Sequence, residues 1–200
     1  MTPRYTEMQL DALRELANIA SGTAATALSQ MLGREVDLSV PRALALPLAD
    51  AVDAAGDPAE LVSAVALPLE GDINGLVLLL IPIPHAARLC QMLGVEPGTE
   101  VGDSAISEIG NILGTSYLNA LAAMTGLGMV PCPPQLVTDL LGAVVASVLA
   151  ESASHGDIAL VLDSELDVAG EPCSIGFMLV PNAGGVSDLL APLGLAEVTA

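Results

Sequence analysis

The chain has 200 residues, 52% of them hydrophobic and 2% aromatic, enough for a large core built from Ala, Leu and Val. Acidic residues outnumber basic ones 24 to 5, a formal net charge of -19, and all five bases are arginines before residue 101. Such a chain cannot neutralise a run of nucleic-acid phosphates, is repelled by an anionic membrane surface, and without lysine has neither Schiff-base chemistry nor a P-loop.

The first predicted element is a long helix over Met8–Leu32. Leu10, Leu13, Ala17, Ala20, Ala24, Leu28 and Met31 recur at helical spacing, and Gly33 supplies the stop. The opposite stripe is Asp11, Glu15, Asn18, Gly22, Ala25 and Ser29, polar first, then small and flat. Glu15 and Asn18 are three apart, so a carboxylate and a carboxamide project side by side from adjacent turns.

Val36–Leu46 alternates apolar positions and reads as a strand. Pro41, twenty-three residues after Asn18, demands a local break in it or an edge position. Asp50–Glu60 (DAVDAAGDPAE) reads as an acidic loop. Leu61–Leu69 and Gly75–Ile83 read as a hairpin through EGDIN, the second strand apolar at consecutive positions and so covered on both faces. Pro84–Leu93 reads as a short helix stopped by Gly94, and Glu96–Gly102 as a joint.

The pattern then restarts. Asp103–Leu127 reads as a second long helix closed by Gly128, with Glu108 and Asn111 again three apart, Ser104 four residues before Glu108, and Pro134 twenty-three residues after Asn111. One Glu-x-x-Asn is common; two with equal spacing to a later Pro are much harder to reach by chance. Val130–Val137 reads as extended, Thr138–Glu151 as a helix without a counterpart in the first half, Ile158–Leu166 and Glu171–Val180 as a second hairpin, and Ala183–Leu193 as a last short helix. The expected architecture is one α+β domain over residues 1–200, made of repeat 1 (8–95) and repeat 2 (101–195). Two long helices lie side by side on a shared, mostly antiparallel sheet with pseudo-two-fold symmetry, and both pairs face one exposed surface. The six additional residues of the second half are assigned to the helix at 138–151.

Cys90, Cys132 and Cys173 read as buried free thiols in a reducing compartment, and His85 and His155 are isolated. No pair stands at metal-ligand spacing, so neither a metal nor another bound cofactor is expected. The start of the chain lacks an apolar h-region, and the longest apolar runs fall short of the ~20 residues that span a bilayer. The expectation is a soluble cytoplasmic protein without membrane insertion.

A Glu and an Asn on an exposed helix make a poor stand-alone active site, because neither a nucleophile with its base nor a metal cluster accompanies them. They suit chemistry completed by a partner. The amide offers a donor and an acceptor and can hold one water for in-line attack, while the carboxylate can pair with a partner's Lys or Arg. The partner would bring the phosphoryl group and Mg2+.

LDALRELANIASGTAATALSQMLGREVDLSVP and SAISEIGNILGTSYLNALAAMTGLGMVPCPPQLV resemble the two halves of the CheC family, phosphatases of the phosphorylated chemotaxis response regulator CheY. The family signature is Asp or Ser, then Glu, Asn and a later Pro. It is matched by Asp11, Glu15, Asn18 and Pro41 and again by Ser104, Glu108, Asn111 and Pro134, with ELAN in the first copy where EIGN is usual. The resemblance implies that Glu15 and Glu108 contact the active-site Lys of CheY and that Asn18 and Asn111 orient the attacking water. It also implies a helix after CPPQLV that docks the receptor deamidase CheD, with Asp139 as candidate contact. A CheD-binding adaptor with weak or no phosphatase activity is the alternative, and a flagellar-switch component a third reading. Pro41 and Pro134 read as bends beside the helix, and Ser104 equally as a helix-cap residue. An internally duplicated chain is expected to be monomeric.

Overall fold

A computed structural model describes residues 6–151, 158–182 and 185–193. Its elements are α1 (Glu7–Leu32), β1 (Val36–Pro47), α2 (Leu48–Ala55), β2 (Leu61–Gly71), β3 (Gly75–Pro82) and α3 (Ile83–Met92), then α4 (Glu100–Thr125), β4 (Met129–Pro131), β5 (Gln135–Leu140), α5 (Leu141–Glu151), β6 (Ile158–Val168), β7 (Glu171–Pro181) and α6 (Gly185–Leu190), with a 3-10 turn at Ala191–Leu193. The fold is α+β and runs through one order of elements twice. His155, Ala183 and Gly184 lie outside the described residues.

The two long helices are copies. Each has 26 residues, each follows a threonine cap (Thr6, Thr99), and each ends on a left-handed glycine (Gly33, φ 63°; Gly126, φ 72°). These paired positions are all 93 residues apart, so α4 closes at Gly126 rather than at the expected Gly128. The offset persists from Pro47 to Leu140, where the first strands end.

Seven strands form one sheet in the order β1-β6-β7-β3-β2-β4, with β5 also on β2, and every pairing is antiparallel. The two hairpins meet through β3 and β7, as expected. The outer strands cross over: β1 of the first half lies on β6 of the second, and β4 and β5 of the second lie on β2 of the first. Each half therefore completes the other's sheet. The α1 and α4 helices pack together on one face over a core that includes Leu13, Leu28, Ile109, Leu113 and Phe177. The opposite face carries α2 and α5 over a smaller core. Strand β3 serves both, with Val77, Leu79 and Ile81 on the first and Leu78 and Leu80 on the second.

Several further expectations need correction. The acidic stretch at 50–60 is not a loop throughout, because Leu48–Ala55 is helix α2, seated through the fully buried Ala51 and ended by Gly56. Its alanines favour helix strongly enough to outweigh the two aspartates. The helix expected at 138–151 begins only at Leu141, and Thr138, Asp139 and Leu140 belong to β5, held by main-chain pairing to Ser63, Val62 and Leu61. That helix also has a counterpart, since α2 follows β1 as α5 follows β5. The extra length of the second half is divided: the offset is 97 at the starts of β2 and β6 and 99 at the ends of β3 and β7. Among the cysteines, Cys90 and Cys173 are buried free thiols, whereas Cys132 is only half-buried.

Candidate active site

Both Glu/Asn pairs lie on the paired long helices. Thr6 accepts from the main chain of Gln9 while the Gln9 side chain bonds back to Thr6, a reciprocal cap that fixes the start of α1. The Thr99 hydroxyl accepts from Gly102 at 3.2 Å and does the same for α4. From those starts, helical periodicity carries Glu15 and Glu108 to exposed positions. Among the described residues neither carboxylate makes a hydrogen bond or an ion pair, so each is available to a cation from outside.

The carboxamides differ. Asn18 is exposed, yet its oxygen accepts from the Val40 main chain at 2.9 Å and its nitrogen donates to the carbonyls of Arg14 at 3.0 Å and Val40 at 3.3 Å. Asn111 is half-buried, and among the described residues its oxygen accepts only a long bond from the Thr115 hydroxyl, at 3.4 Å.

Asp11 is exposed and pairs with Arg14 at 2.9 Å, a surface pair of little energetic weight that holds an arginine next to Glu15 in sequence and one turn before Asn18. Ser104 is exposed in the second turn of α4; Thr99 is the cap, which removes the capping role for Ser104. Pro41 sits in the register shift between Ser39 and Arg42, and Pro134 sits in the equivalent break between β4 and β5. Lacking an N–H, neither could continue a ladder, so each turns the chain beside the helix it follows. Asp139 is not brought to the pairs. It is exposed on β5 opposite Val62, whose side chain belongs to the core beneath α5, on the other face of the sheet.

Close packing sets the height of α4. A Cβ on Gly110 would lie 2.7 Å from the Val65 side chain, and one on Gly114 would lie 2.3 Å from Leu67 Cδ1. The equivalent positions of α1 are Ala17 and Ser21, both buried. This accounts for ELAN against EIGN: the second helix lies on β2 at a distance only glycine permits.

Sequence reasoning missed two features. Apolar side chains flank the pairs: Ile19, next to Asn18, is 59% exposed, and Met8 and Val101, 93 residues apart, are also exposed. Isolated apolar residues on a polar stripe were the available signal. The Val40 main chain gave none, because a peptide group carries no residue-type signature. Two clefts of about 410 and 560 Å³ are lined by none of Glu15, Asn18, Glu108 and Asn111, and Glu15, Asn18 and Glu108 are exposed on the helix surface. Among the described residues no cluster of His, Cys, Asp and Glu could hold a metal ion, and no helix is long and apolar enough to cross a membrane.

Paired helices bearing duplicated acid–amide pairs on a shared antiparallel sheet define an internally duplicated α+β fold. The model of the CheC-like family matches residues 8–44 and 101–138, the two stretches that carry the pairs. A curated relative, the CheY-P phosphatase CheC of Bacillus subtilis (strain 168), is 36% identical over 168 residues, 80% of each chain. The chain belongs to the CheC-like family. In structure it is similar to Thermotoga maritima FliY, with a TM-score of 0.75, 23% identity, and 94% of this chain and 97% of that one covered. It is also similar to a chain of the CheX–CheY–BeF3–Mg2+ complex from Borrelia burgdorferi, with a TM-score of 0.50, 16% identity, and 84% and 96% covered.

Proposed function

We propose that this chain hydrolyses the phospho-aspartate of the response regulator CheY at two related sites, Glu15 with Asn18 and Glu108 with Asn111. The observation that supports it most directly is the presence of two carboxylates, exposed and unpartnered among the described residues, each one turn from an amide on equivalent helices. The open surface fits a macromolecular substrate better than a small molecule.

In this reading Glu15 or Glu108 pairs with a lysine of the regulator and sets the docking register. The asparagine enters the regulator's active site, accepts from a water with its oxygen and aligns it behind the phosphorus. The water oxygen bonds to phosphorus as the bond from phosphorus to the aspartyl oxygen breaks. Inorganic phosphate and a free aspartate carboxylate result. Mg2+ held in the regulator would meet the developing charge, and in this reading this chain supplies no cofactor of its own. The apolar Ile19 and Met8 fit the role of flanking contacts that exclude water.

Rate measurements on phospho-CheY test the roles. Asn→Ala should lower the turnover rate more than docking, because it removes an interaction made in the transition state, whereas Glu→Ala should raise KM. Equal losses of binding and no loss of turnover in the asparagine variants would rule out the water-orienting role.

A second reading is an adaptor that sequesters CheD. What favours it is an open edge: among the described residues β5 pairs only with β2, and Val137, Leu140 and the neighbouring Leu61 are 50%, 42% and 52% exposed. Asp139 lies within that run. Binding of CheD that persists in Asn18→Ala/Asn111→Ala but is lost in Asp139→Arg would place this function apart from hydrolysis.

A further inference from the structure

We propose that the two sites are not equivalent: the main chain of Val40 latches Asn18, and Pro133 leaves Asn111 free. The proposal rests on the phosphatase reading above and adds which residues set the readiness of each site.

A carboxamide has two N–H donors and one carbonyl oxygen. In Asn18 both kinds of group are engaged. The Val40 N–H donates to its oxygen, and its nitrogen donates to the carbonyls of Val40 and Arg14. The Val40 peptide thus treats the side chain as a neighbouring strand would. It does so where the strand has lost its own partner, since Val40 and Pro41 fall in the gap of the β1–β6 register between Ser39 and Arg42. Val40 is 1% exposed, so its N–H would be orphaned if Asn18 swung away. The latch resists opening for that reason.

The residue 93 positions after Val40 is Pro133. Proline has no N–H, so the donor that engages Asn18 has no equivalent at the second site. Asn111 keeps only the 3.4 Å bond from Thr115, and its nitrogen makes no hydrogen bond among the described residues. It can turn outward without leaving a buried donor unpaired. Asn18 must first leave Val40, and the rate at its site is limited to the fraction that has done so. Val40 and Pro133 are positioning residues in this scheme, acting through the asparagines.

Two measurements on the full chain test this. By hydrogen exchange followed by NMR, Asn18→Ala should speed exchange of the Val40 amide about tenfold or more, since its acceptor is gone. In phospho-CheY hydrolysis, Asn111→Ala should remove the larger share of the rate and Asn18→Ala the smaller. With Asn18→Ala present, the exposed Pro133 changed to Val restores a donor and should lower the remaining kcat several-fold with KM unchanged. Val40 exchange that ignores Asn18→Ala, in a protein still active as a phosphatase, overturns the latch alone. Asn18→Ala proving as damaging as Asn111→Ala overturns the inequality. A double variant that hydrolyses at the full rate overturns the phosphatase reading and the proposal with it.

Discussion

Gly114 and Leu67 stand so close that a Cβ on the glycine would meet Leu67 Cδ1 at 2.3 Å. Four residues earlier, Gly110 meets Val65 at 2.7 Å, so one full turn of α4 lies against β2 with no room for a side chain. That turn carries Asn111. A methyl group at Gly110 meets Val65 at its Cβ and both methyls, so helix or strand must move, whereas one at Gly114 must turn the buried Leu67 side chain aside. Gly110→Ala and Gly114→Ala should each destabilise the fold by about 1–3 kcal/mol. Gly22 gives the reverse case: it is exposed on α1, and a Cβ there would meet nothing within 4 Å. Gly22→Ala should stabilise by about 0.5–1 kcal/mol through helix propensity alone. Urea midpoints of the three variants check both signs. A stabilised Gly114→Ala would show that the helix has freedom the packing denies.

Tyr117 joins the halves through a buried hydroxyl, 2.9 Å from Ser164 on β6 and 3.5 Å from Ser21 on α1. Its ring meets Phe177 edge-on, with centroids 5.0 Å apart at 74°. Burial pushes its ionisation above the ordinary 10.0, an effect the two serine bonds partly offset. Because the folded value lies above the unfolded one, this stability is whole below about pH 10 and is lost as pH rises through the folded value. Tyr117→Phe should cost about 1 kcal/mol at pH 7, leaving the buried Ser164 short of a partner. The gap between wild type and Tyr117→Phe should narrow at strongly alkaline pH, because phenylalanine has no proton to lose. Denaturation at pH 7 and pH 11 would show this; an unchanged gap would contradict it.

The thiols differ in access. Cys90 and Cys173 are buried, and burial is the main cause that raises their ionisation above the ordinary 9.0; Cys132 is half-buried, and burial first and the neighbouring Glu70 second raise its ionisation too. The thiolate is the reactive form, so labelling by iodoacetamide at pH 7.5 should be slow everywhere and should reach Cys132 first. Mass spectrometry of the partly labelled chain would reveal the order. Early modification of Cys90 would mean that the contact between α3 and α4 opens readily.

Much of this arrangement was legible in the chain. The long helices declare themselves by period and by glycine stops, and the hairpins by short turns between apolar runs. The equal spacing from Asn18 to Pro41 and from Asn111 to Pro134 exposed the duplication. What failed was local. DAVDAAGDPAE looked like a loop because its aspartates, Gly56 and Pro58 outweighed, on inspection, the alanines that make α2. TDLLGAVV looked helical throughout because nothing in Thr138–Leu140 announces that β2 lies beside it. Applying the 93-residue offset strictly would have found both, since β1 passes into α2 at Leu48 and β5 passes into α5 at Leu141. The candidate site was legible as residue types and spacing. The engagement of Asn18 by Val40 was not, since it depends on how a strand bends back beside a helix.

The most direct measurement of the central claim is the rate of phospho-CheY decay with wild type, Asn18→Ala, Asn111→Ala and the double variant. The account predicts that wild type accelerates decay, that each single change lowers the rate, and that the double variant falls by about 10²–10³, close to spontaneous decay, while still folded. Full acceleration by a folded double variant would contradict it.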